Sequence, residues 1–126
     1  MERSRDEAWF SGLAHALTQA LVDARACAAA CETLLESGRE TLGPAEQHRL
    51  VRAIVLPAAI SGVLVDLGDQ PPLLVLAATR ACREASLTAL EQLALLAMPL
   101  DCTAAAAALR RAADSCGRLL DAVEQA

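Results

Sequence analysis

LAHALTQALVDARACAAACETL, residues 13–34, is the stretch whose reading decides the fold. Within it Leu13, Leu17, Ala20, Ala24, Cys27, Cys31 and Leu34 recur at alternating separations of four and three residues. That rhythm holds one stripe of a helix apolar, the kind of seam that helices bury against one another. The same spacing returns twice. It runs through Val75, Thr79, Cys82, Ser86, Ala89, Leu93 and Leu96, and again through Cys102, Ala105, Leu109, Ala112, Cys116, Leu119 and Val123. A further segment, between the first and second of these, is apolar but less regular. Pro57 and Ser61-Gly62 are expected to kink it and blur its register.

Punctuation separates four helices. The first is expected from about Ser4, a plausible cap, to Glu36, with Ser37-Gly38 ending it. Pro44 suits a first helical turn and opens the second, which ends near Gly68. Pro71 and Pro72 open the third, expected over 71–97 and stopped before Pro99. Asp101 caps the fourth, expected over 101–125. Short connections make sequential neighbours antiparallel, so the reading is one all-α domain, an up-down-up-down four-helix bundle.

Composition agrees. The chain has 126 residues, one domain's length, and 55% of them are hydrophobic while only 2% are aromatic. A core almost without aromatics depends on Leu, Ile, Val and Ala at short range, and alanine is the best intrinsic helix former. The net charge of −5 and the short Arg49/Arg52 and Arg110/Arg111 pairs do not make the clustered basic face that nucleic acid requires. No run of 18 apolar residues lacks a polar interruption, so no membrane span is expected. Asp6 and Glu7 spoil a basic leader region, and His15, Thr18 and Gln19 break the apolar run that export needs. The expected location is the cytoplasm, where five cysteines, an odd number, are reduced thiols rather than a disulfide framework.

Every cysteine lies on a seam. Cysteine packs well as a small hydrophobe in a core of Ala and Leu, and that alone accounts for its placement. The segment Ala26-Cys27-Ala28-Ala29-Ala30-Cys31-Glu32-Thr33-Leu34, however, resembles the Ala-Cys-Ala-x-Ala-Cys-Glu-x-Cys segments of the bacterial four-helix copper storage proteins. Cys102 and Cys116, fourteen apart, carry a similar imprint, with Ala105, Leu109 and Ala112 where that family has further cysteines. Cys82 is followed by Ser86, Ala89 and Leu93 at the equivalent places; the second helix offers Ala53, Ile60 and Leu64. The resemblance implies a bundle whose interior thiols hold Cu(I), and it implies homo-oligomers. Because most of the family's ligand positions are aliphatic here, high-capacity storage is not expected.

Thiolates are soft ligands suited to Cu(I), and two at i and i+4 can share an ion. Cys27 and Cys31 have that spacing. Counting rise per residue from the end that holds the first and third connections puts Cys31 about 9 Å down, Cys27 about 15 Å and Cys82 and Cys116 roughly 22 Å. Cys102 lies near that end itself, beside His48 and Met98. The expected soft-metal set is therefore Cys27, Cys31, Cys82, Cys102 and Cys116, with His48 or Met98 at the entrance. Zinc would want four converging ligands, and no Cys-x-x-Cys is present. Glu-x-x-His, needed twice for a di-iron bundle, is absent, as is a glycine-rich phosphate loop. No catalytic group is assigned.

The alternative reading is a metal-free bundle that binds a small apolar ligand or a partner protein. Alanines such as Ala89 and Ala105 would then leave an apolar channel, whose far mouth lies near Trp9, Phe10, His15, Asp66 and Leu73. The apolar run from Leu73 to Leu76 and the leucines at 93, 95 and 96 point to another helix packed outside the bundle.

Overall fold

The computed structural model describes the backbone of residues 2–67, 71–96 and 99–124, and side chains from residue 11 onward within those ranges. It contains four helices and, among the described residues, no strand: α1 (Glu2–Thr41), α2 (Pro44–Asp66), α3 (Pro72–Leu95) and α4 (Thr103–Glu124). The helices form the antiparallel bundle, with α1 packed on α2 and α4, and α3 packed on α2 and α4. At 40 residues α1 is much the longest. A rise of 1.5 Å per residue makes it about 25 Å longer than its neighbours.

The first connection corrects the expected end of α1. The helix does not stop at Ser37-Gly38 but continues to Thr41. Gly38 is not in the left-handed conformation of a helix-ending glycine. Its missing side chain serves packing instead: a Cβ there would stand 2.5 Å from Leu50 Cδ2 and 3.3 Å from Leu42 Cδ1. Glycine lets α1 and α2 close on each other at the hairpin. Gln47 then reaches back, its Nε2 donating to the carbonyls of Leu42 (2.6 Å) and Arg39 (3.3 Å), which satisfies acceptors that a helix end leaves open. The expected end of α2, both ends of α3 and the start of α4 shift by one or two residues, while the expected end of α4 at 125 lies outside the described residues. Pro44 and Pro72 sit in the first turns of α2 and α3, where no N–H is missed. Before α4 the Asp101 carboxylate accepts the Thr103 N–H at 2.9 Å.

The α1, α3 and α4 seams lie inward, buried along the middle of each helix and half-buried at Leu13, Leu17, Leu96, Cys102 and Val123. The α2 register also becomes clear. Leu50, Ile54, Pro57, Ser61 and Leu64 are its buried stripe, spaced four and three like the others, and the helix runs unbroken through Pro57. Ile60, one of the three α2 positions singled out from the sequence, is only half-buried. α2 is also long and apolar enough to cross a membrane by length and composition, with one third of its most apolar window buried in the bundle. Both facts have one cause: α2 is apolar on its outer face as well as its inner one.

The core falls into two parts. One gathers Cys27, Cys31, Leu34, Leu50, Ile54, Leu93 and Leu109 toward the α1–α2 hairpin. The other gathers Ala24, Leu64, Val75, Cys82 and Cys116 toward the opposite end. Ala89 and Ala105, where the sequence allowed a channel, are buried within the first part among these leucines. Of the surplus apolar residues of α3, Leu73, Leu74 and Leu95 are exposed, Leu73 and Leu95 at 82% and 79%, whereas Val75 and Leu93 are buried in the core.

Candidate functional site

Where the two halves of the core meet, the bundle interior carries thiols and hydroxyls instead of hydrocarbon. Cys27 and Cys31 from α1, Ser61 from α2, Cys82 and Ser86 from α3 and Cys116 from α4 are all fully buried. The one-turn spacing on α1 sets Cys27 and Cys31 side by side, close enough for each to shift the ionisation of the other. Cys82 and Cys116 meet across α3 and α4 as a second pair. Ser61 Oγ lies 3.5 Å from Cys82 Sγ. Ser86 Oγ is buried and has no hydrogen-bond partner.

Each pair holds its two protons very unequally, because a thiol that donates to its neighbour stabilises that neighbour's thiolate and must keep its own proton. The hydrogen bond from Cys31 is the largest influence on Cys27 and, against the opposing effect of burial, lowers it to about 7. The bond from Cys116 does the same for Cys82, lowering it to about 6. Cys31 and Cys116 are raised, first by donating these bonds and next by burial. Ser61 and Ser86 contribute to both depressed thiols by favouring their charged forms. Ser86 is thus a donor unused by neutral thiols and available to either thiolate.

A polar network adjoins this belt at the α1–α4 contact. Buried Asp23, one turn before Cys27, accepts from Gln19 Nε2 at 3.2 Å and from the Ser115 hydroxyl, and Arg118 Nη2 donates to Ser115 Oγ at 3.1 Å. The Asp23 charge also helps hold the proton on Cys116.

The remaining expected ligands stand apart. Cys102 is half-buried near the hairpin end, its Sγ 3.7 Å from the Leu100 carbonyl oxygen. Burial, then the Asp101 charge, raises its pKa. His48 is exposed on the outward side of α2, opposite the seam through Leu50 and Ile54. Met98 lies outside the described residues, as do the side chains of Trp9 and Phe10. Among the described residues no group of three or more His, Cys, Asp and Glu side chains gathers as a metal-holding cluster. The units on offer are two-thiol pairs.

Sequence reasoning had Ser86 on its seam but missed Ser61, reading Ser61-Gly62 as a kink. The signal was available: Leu50, Ile54, Pro57, Ser61 and Leu64 follow the same rhythm as the other helices once Pro57 is allowed inside one. The Asp23–Ser115 contact joins residues 92 apart and has no local signature.

Comparison of the chain with protein-family models, with curated proteins and with solved structures finds no match.

Proposed function

We propose that the protein binds Cu(I), or a similar soft monovalent ion, in small number through its buried thiol pairs. The observation that carries this reading is the burial of four thiols as two neighbouring pairs, Cys27 with Cys31 and Cys82 with Cys116, each thiol shifting the ionisation of its neighbour. Soft thiolates select Cu(I), and Cu(I) is content with two of them in a linear arrangement. Zinc needs four ligands in a tetrahedron, which two-thiol units do not provide. Binding to a pair displaces both thiol protons and leaves a bis-thiolate complex with one negative charge. One proton of each pair is already weakly held, which lowers the cost of the first displacement. The buried anion needs donors, and the Ser61 and Ser86 hydroxyls are the nearest, Ser86 having no other partner.

The test is an anaerobic titration of the fully reduced protein with Cu(I) against a chromogenic chelator, counting ions held per chain. The expected count is one or two, one for each pair. Cys27→Ala combined with Cys116→Ala removes one thiol from each pair and should abolish tight binding while circular dichroism remains helical. Failure of the wild type to compete with the chelator, or unchanged binding by the double variant, refutes the proposal.

A further inference from the structure

The outer face of α2 has a regularity that packing within one bundle does not require. Between Arg52 and Asp66 the helix carries no charged residue. Its solvent side presents Val55, Leu56 and Val63 at 47%, 57% and 48% exposure, with Ala59 exposed between them. At 100° per residue these positions, together with Arg52, Gly62 and Asp66, lie within about 60° of the direction in which Ala59 points. The buried stripe through Leu50, Ile54, Pro57, Ser61 and Leu64 lies on the opposite side.

The positions are symmetric about Ala59. A second α2 laid antiparallel across this face, with the twofold axis at Ala59, sets Leu56 against Val63 of the other copy, on the same flank of the contact. Val55 falls on Gly62, which has open space around it: a Cβ added there would meet nothing within 4 Å. Arg52 falls opposite Asp66, and by symmetry each such match occurs twice. Arg52 and Asp66 are both exposed, and neither has an ion-pair partner among the described residues. The small residues at and beside the axis, Ala59 and Gly62, permit the close interaxial approach that helix packing favours.

We infer that this face of α2 is a self-association surface, joining two copies of the chain through an antiparallel α2–α2 contact centred on Ala59. The charge pattern selects a second copy as occupant. A bilayer would accept the valines and leucine equally well, but it makes no use of a cation and an anion placed at equal distances from one alanine. An exposed apolar strip of this length needs a cover, and antiparallel self-pairing leaves no apolar or charged position on it unmatched.

Charge reversal distinguishes the register. Sedimentation equilibrium of the reduced protein should give a dimer. Arg52→Asp and Asp66→Arg, each of which brings like charges together at both ends of the contact, should weaken dimerisation about tenfold or more. The double variant carrying both should regain the wild-type constant. Gly62→Leu, which fills the hole opposite Val55, should give a folded monomer. The inference is overturned by a wild type that is monomeric at all concentrations. A dimer indifferent to the single reversals, or a double variant as weak as the singles, overturns it equally. A monomer that floats with phosphatidylcholine vesicles would also overturn it, in favour of a membrane surface. None of these outcomes depends on the thiols.

Discussion

Ser86→Ala tests whether the buried hydroxyl serves the thiols, and the expected effect on stability changes sign with pH. At about pH 5, below the depressed values of Cys27 and Cys82, the thiols are neutral and Ser86 Oγ has no partner. A buried hydroxyl left unpaired costs roughly 1–3 kcal/mol. Its removal leaves a void smaller than a methylene, at a cost below about 1 kcal/mol. The variant should therefore be more stable than wild type by about 1 kcal/mol. Near pH 8 the native state carries thiolate at Cys82, and to a large extent at Cys27, and the hydroxyl becomes a donor to a charged acceptor. Such a bond is worth about 1.5–3 kcal/mol, so the same substitution should now destabilise by roughly that amount. Urea unfolding under strong reductant at the two pH values measures both numbers, with helical circular dichroism as the probe. An effect of the same sign and size at both would show that Ser86 does not exchange its role with thiol ionisation, and the account of the belt would fail.

Wild-type stability should itself have a maximum near pH 9. Cys27 and Cys82 are depressed to about 7 and about 6 from an unfolded value of 9.0, so the unfolded chain binds more protons than the native one in that interval. Stability then climbs as pH rises from about 6 to 9 and is lost as pH falls back through the depressed values. Cys31 and Cys116 are shifted upward, so above about pH 9 the unfolded chain releases protons that the native chain keeps, and stability declines. Denaturant midpoints across this range check it; a flat profile, or the same climb in Cys27→Ala/Cys82→Ala, counts against it. Gly38→Ala should be neutral or destabilising by up to about 2 kcal/mol, since roughly 1–3 kcal/mol of overpacking against buried Leu50 opposes about 1 kcal/mol of improved helix propensity. In a Leu50→Ala background, where the obstacle is gone, the same change should stabilise by about 1 kcal/mol. Equal effects in both backgrounds would refute the close-approach reading.

Much of the fold was legible because helical seams are local. Leu13 through Leu34, Val75 through Leu96 and Cys102 through Val123 each specify an inward stripe without reference to the rest of the chain. What escaped had two meanings available. Gly38 suits both a helix end and a close crossing, and only the position of Leu50 decides between them. Pro57 breaks a helix on propensity, yet in α2 it joins the buried stripe, so tertiary packing prevailed. In the belt, levels along the bundle placed Cys27, Cys82 and Cys116 mid-bundle, but rise per residue carries no information on rotation or pairing. The Cys27–Cys31 pair is local to α1 and follows from its i, i+4 spacing, whereas the pairing of Cys82 with Cys116 depends on how α3 and α4 face each other. His48 shows the converse error: its level was near the hairpin end as read, but its direction on α2 points to solvent.

Complete burial of the four paired thiols also governs time. No sulfur of Cys27, Cys31, Cys82 or Cys116 meets solvent, so an ion or a thiol reagent reaches them only while the helices part. Exchange then runs through the rare opened state, and its rate follows the free energy of that opening. Half-buried Cys102 is outside this restriction, dividing the five thiols into one fast and four slow. An ion once enclosed would be retained for as long as the bundle stays shut, whatever its affinity for the sulfurs that hold it.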